Sequence, residues 1–140
     1  MQLNPLLHFD GRCEAAFKFY EKCLGAKITF MMPNAGTPVE SQVPAGWRDK
    51  ILHATLQVGE GRLQGADVPP EHYQKPQGFS VTLGLQDAAE TERIFHALTE
   101  NGTVTMPIQQ TFWAERFGML VDQFGIPWMI NCRVAPTDAR

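Results

Sequence analysis

His53 is the first group in this chain of 140 residues whose setting suits chemistry. In DKILHATLQV, Leu52, Ala54, Leu56 and Val58 fall on one face, and Ile51, His53, Thr55 and Gln57 on the other. The apolar set must face a core, which leaves His53 on a side free to meet a ligand. There an imidazole serves as a hydrogen-bond donor or a general base; a hydrogen-bonded structural histidine is the other use of such a position. Trp113, Glu115 and Arg116 form a second group, in a loop. A flat indole beside a fixed guanidinium suits an anionic or aromatic ligand, while Glu and Arg side by side in a loop commonly make a solvated ion pair. Trp47 sits in a long irregular segment and is expected to be a buried anchor for a partner subunit, with a lid over a ligand cavity as the alternative.

Other chemistries find less support. Cys13, Cys23 and Cys132 are odd in number and lack CxxC spacing, so they fit neither a disulfide framework nor a zinc site and read as buried reduced thiols. His72 and His96 have no neighbour that would make them catalytic, and no Ser/His/Asp or Cys/His arrangement can be placed. A formal charge of -3 gives no basic surplus for binding nucleic acid. No leader is evident, and no run approaches the roughly 18 apolar residues of a membrane span, so the expectation is a cytoplasmic protein without a membrane partner.

The elements that must position these groups occur twice. NPLLHF reads as a strand, Asp10 as the cap of a helix with its stripe at Ala16, Phe19, Tyr20, Cys23 and Leu24, Gly25 as its end, and KITFMM as a second strand. Residues 33 to 49 hold three prolines and two glycines without periodicity, a long loop for a compact domain. DKILHATLQV then turns through Gly59, Glu60 and Gly61 into GRLQGA. After a proline-rich linker at 69–77 the order restarts. GFSVTLGLQ is a strand, and Asp87 with Glu90 opens a helix striped by Thr91, Ile94, Phe95 and Leu98 that ends near Gly102. VTMPI, RFGMLVD and PWMINC are the last strands, followed by a polar tail. The fold class is therefore α+β, one domain over 1–140 made of two βαβββ modules, 1–68 and 78–133. A four-stranded sheet with one helix leaves one face uncovered, so two such sheets are expected to enclose a cavity.

FDGRCEAAFKFY with EKCLGA, DKILHATLQVGEGRL and QTFWAERFGMLVDQFGIPWMI resemble the corresponding segments of bacterial PhnB-like proteins, a branch of the vicinal oxygen chelate superfamily of glyoxalases, bleomycin resistance proteins and dioxygenases. The resemblance spans nearly the whole chain and places a His in the phrase that holds His53. It implies U-shaped sheets with helices outside, a small-molecule cavity and a homodimer. Some PhnB-like proteins carry a methyltransferase label, but no glycine-rich strand-to-helix turn of the kind that binds adenosyl cofactors occurs here.

Metal-dependent members of that superfamily draw one His, Gln or Glu from the first and fourth strands of each half. Registering the halves on Phe19–Tyr20, Asp87 and Gly125 puts those positions at Pro5, Gln64, Ser80 and Met129, of which only Gln64 is an acceptable ligand. His8 lies three residues from Pro5, an odd offset that turns it to the opposite face. No cofactor is expected, a divalent metal being the less favoured outcome. The reading is a small-molecule binding protein with His53, Gln64, Trp113, Glu115, Arg116 and Trp47 lining its cavity. A lyase, isomerase or dioxygenase with an altered or absent metal site is the alternative, and a protein-interaction module with a vestigial cavity a third.

Overall fold

The computed structural model describes residues 1–133, so the polar tail lies outside the described residues. The order is β1 (Leu6–Phe9), α1 (Cys13–Leu24), β2 (Lys27–Pro33), β3 (Ile51–Val58), β4 (Gly61–Asp67), β5 (Val81–Leu85), α2 (Ala88–Leu98), β6 (Thr103–Gln109), β7 (Ala114–Val121) and β8 (Pro127–Arg133). Two mixed four-stranded sheets result, ordered β1-β4-β3-β2 and β5-β8-β7-β6, each with one parallel pair and two antiparallel ones. This is the tandem βαβββ architecture. The chain divides between Gln74 and Lys75 into two compact units. No described helix is long and apolar enough to cross a membrane.

In the first unit Leu7, Phe9, Ala54, Leu56 and Leu63 point to one side of the sheet, against Cys13, Ala16, Phe17, Tyr20 and Cys23 of α1. Strand alternation sends Leu6, His8, His53, Thr55, Arg62, Gln64 and Ala66 to the other side, which carries no helix of its own unit. Gly65 permits the close packing: a Cβ there would lie 2.8 Å from the Phe17 ring. Ile51 departs from the expected alternation and is buried. The β2–β3 register explains this, since Met32 pairs with His53 but Pro33 with Ile51, so β3 advances two residues for one on β2.

Helix α1 is not capped by Asp10. The Arg12 side chain at the N-cap makes no capping bond, and Asp10 instead lies 3.3 Å from Arg12 Nε. The free N–H groups of Gly11 and Cys13 donate to Oδ1 of Asp67, at 3.0 and 2.9 Å, from the far end of β4. The same carboxylate accepts from Ile51 N–H through Oδ2 at 2.8 Å, tying the start of β3 to the start of the helix. Gly25 ends α1 in the left-handed region, as its spacing implied.

In the second unit Thr91, Ile94, Phe95 and Leu98 of α2 pack on Leu120, Trp128, Ile130 and Cys132. Asp87 caps α2 by accepting from Glu90 N–H at 2.9 Å. The helix stops at Leu98, earlier than Gly102. Gly102 has a different duty: a Cβ there would lie 2.5 Å from the Val121 carbonyl, so only glycine lets this turn pass the end of β7. The 33–49 loop includes a short 3-10 helix at Pro38–Gln42.

Candidate functional site

The side of each sheet turned away from its helix carries the residues with chemistry to offer. In the first unit, Gln64 stands opposite Leu6 on β1 and Thr55 on β3, and Thr55 stands opposite Phe30. One step along, His8 stands opposite Ala66, and His53 opposite Met32. His53 and Gln64 therefore share one side, and His8 joins them. The expectation that His8 turns away is corrected: Leu7 and Phe9, 1% exposed each, take the helix side, so their neighbours Leu6 and His8 must take the other. The apolar positions flanking His8 were the signal for it.

The second unit's open side is rich in methionine. Thr82, Met129, Met119 and Met106 form one row across four strands, with Phe117 two residues from Met119. Trp113 is half exposed and meets Phe117 edge-on, ring centroids 5.4 Å apart, and Phe112 at 4.7 Å. Asn131 stands between Gly84 and Phe117 in this surround. Its Oδ1 is the one buried side-chain polar atom without a hydrogen-bond partner among the described residues. An unpaired acceptor away from water costs about 1–3 kcal/mol, which a donor from a ligand or a bound water would relieve.

The remaining expected site residues lie elsewhere. Arg116 takes the ion-pair alternative: it stands opposite Cys132 on the helix side, its Nε 3.1 Å from Glu92 of α2. Glu115 is exposed, with the Cys132 thiol 3.9 Å from its carboxylate. Trp47 is half-buried, its ring edge beside Gly11, and its carbonyl accepts from the Asn34 amide at 2.9 Å, so it closes the long loop on the start of α1. The Cys13 thiol is buried and pushed up, first by desolvation and then by the negative charge of Asp67, which keeps it protonated and unreactive.

The register also revises the positions at which a metal would be held. Leu6, not Pro5, stands opposite Gln64, and Thr82, not Ser80, stands opposite Met129. An isobutyl group, an amide, a hydroxyl and a thioether do not fit a divalent cation that prefers imidazole and carboxylate. No group of three or more His, Cys, Asp or Glu side chains placed to hold a metal occurs among the described residues.

Residues 2–130 match the family described as Glyoxalase/Bleomycin resistance protein/Dioxygenase superfamily. The chain is 34% identical over 139 residues to protein YjdN of Escherichia coli, covering 94% of this chain and 95% of that one. It is similar to the crystal structure of protein PA1353 from Pseudomonas aeruginosa, at 43% identity and a TM-score of 0.86 over 95% of this chain and 98% of the other. A Bacillus cereus structure titled a putative 3-demethylubiquinone-9 3-methyltransferase, PhnB protein, shares the fold at TM-score 0.79 and 20% identity, over 94% of this chain and 99% of that one.

Proposed function

Because this chain belongs to the glyoxalase/bleomycin resistance protein/dioxygenase superfamily, we propose that it is a small-molecule binding protein of PhnB-like type that works without a divalent metal. The observation that carries this reading is the make-up of the two open sheet sides. Leu6, Phe30 and Met32 in one unit and Trp113 in the other are exposed, beside His8, His53, Gln64 and the unpaired acceptor of Asn131. Exposed apolar residues around a few polar groups are what a small organic ligand needs: area for affinity and fixed donors for orientation. Of the four positions expected to hold a metal, only Gln64 carries an acceptable ligand.

Three buried thiols outside any disulfide suit the reducing cytoplasm. Exposed Phe79, Val104 and Phe112 favour a homodimer as the working assembly. A second reading, a lyase, isomerase or dioxygenase-type enzyme, draws on His8 and His53 standing on one side of the sheet, where imidazoles can move protons.

Untagged protein purified without chelators, supplemented in turn with nickel, zinc, iron and manganese and then desalted, is expected to retain well under one equivalent of any of them by plasma mass spectrometry. Retention near one equivalent, abolished by Gln64→Ala, would overturn the metal-free reading and bring glyoxalase or dioxygenase chemistry to the front.

A further inference from the structure

We propose that the open side of the first unit is an anion site, in which His8 and His53 hold the oxyanion of a small aromatic acid from either side of Ala66; this rests on the small-molecule reading and names its ligand class. His8 pairs with Ala66 across β1 and β4. Continuing the β3–β4 register one step past Ala54 and Gly65 brings His53 opposite Ala66 from the other flank. Two strand spacings set the roots of the imidazoles about 10 Å apart, with only a methyl group between them. That gap admits a carboxylate or phosphate reached by an N–H from each ring. Gln64, one pair along β4 from His8 and His53 and on the same side, adds an amide donor.

Charge gives the gap its sign. The four strands of this unit contain one acidic residue, Asp67, and its carboxylate is taken up on the helix side by the N–H groups of Gly11, Cys13 and Ile51. The open side carries His8, His53, Arg62 and, at its far end, Lys27 opposite Gln57, with no carboxylate within the strands, and Asp10, two residues beyond His8, is paired with Arg12. The acids of α1, Glu14 and Glu21, belong to the opposite side, and Glu40 of the long loop is engaged with Gly36 and Arg48. Arg62 is directed to Gln57 and Gln2, which leaves the histidines nearest the gap.

Apolar surface surrounds these imidazoles. Leu6, Phe30 and Met32 are 41%, 44% and 37% exposed, and the Phe30 ring lies 6.0 Å from His53. A bare inorganic anion would leave that surface wet, whereas an aromatic acid covers it and presents its charge to the imidazoles. An N–H donated to an oxyanion is stronger than one donated to a neutral carbonyl, so the site favours the acid over a neutral analogue of the same shape.

The test uses benzoate, phenyl phosphate and the neutral isostere benzamide, with the histidine ring signals followed by NMR. Benzoate is expected to shift the His8 and His53 signals saturably while His72 in the linker and His96 on α2 stay still. Benzamide should bind at least about tenfold more weakly, and His8→Gln or His53→Gln should each weaken benzoate about tenfold. Phenyl phosphate moving the same two signals in place of benzoate would identify the oxyanion as phosphate and uphold the site. Equal binding of benzamide and benzoate would overturn the proposal, as would joint movement of all four histidines. So would ring shifts that follow protein concentration rather than ligand, since the face would then join two copies of the chain. Binding that leaves His8 and His53 silent while methionine methyl signals of the second unit move would remove this site and leave the broader reading standing.

Discussion

Asp122→Ala is expected to remove about 3–5 kcal/mol of folding stability, the largest effect of any single side-chain truncation foreseen for this chain. Asp122 is 3% exposed, and its carboxylate closes the β7–β8 turn from inside. Oδ1 accepts from Phe124 N–H at 2.8 Å and Ile126 N–H at 3.0 Å, and Oδ2 accepts from the Trp128 indole N–H at 2.8 Å. Alanine leaves three buried donors facing no acceptor, one of them on a fully buried indole. Asp122→Asn keeps the shape but turns an N–H₂ toward at least one of those donors, so about 1–3 kcal/mol is expected. Urea unfolding followed by tryptophan fluorescence reads both variants. An Asp122→Ala protein within about 1 kcal/mol of the parent would show that the turn does not depend on this carboxylate.

Asp67→Ala should cost about 2–4 kcal/mol, somewhat less because the site is only partly buried. One carboxylate serves the start of α1 and the start of β3, and its loss frees three N–H groups at once. The effect depends on pH in a defined direction. Burial is the main influence on the Asp67 carboxyl and raises it above the ordinary carboxylate range, against the opposing pull of its three N–H donors and Lys50. A group whose folded value is raised binds its proton more tightly in the folded protein. Its contribution is therefore full below the unfolded value and declines as pH rises through the folded one. The stability gap between the parent and Asp67→Ala should accordingly be widest in acid and narrow toward neutral pH. A gap that widens as pH rises would contradict the assignment of burial as the dominant influence.

These two carboxylates also mark where sequence reading succeeds and where it stops. Asp87 was legible as a cap because a capping bond spans only three residues, from the carboxylate to Glu90 N–H. Asp67 was not, because it caps α1 from 54 residues away and no local spacing reports such a bond. The D-x-F-G turn around Gly125 could be read, but the bond from its aspartate to Trp128 forms only once β8 folds back. The order of elements along the chain and the βαβββ repeat were readable from alternation, helical stripes and turn residues. Strand register was the weak step: turning Pro5 to the same side as Gln64 put β1 one residue out and turned His8 to the wrong side. Arg116 illustrates the same rule, since it alternates with Gly118 and Leu120, which face α2, and its ion pair with Glu92 follows. Nothing local signalled the unpaired Asn131 oxygen, which is a property of the packed surround.

The central claim is that small molecules bind the open sheet sides without a metal, and the six methionines provide a direct readout. Met32, Met106, Met119 and Met129 lie on open sides, whereas Met31 pairs with Ala54 on the helix side and Met1 is fully exposed ahead of β1. With methyl-labelled methionine and a chelator present, titration with benzoate and with indole should shift one or more of the open-side methyl signals while Met31 and Met1 stay in place. Signals that move only after a divalent metal is supplied, or open-side methyls that stay silent to both compounds, would contradict the account.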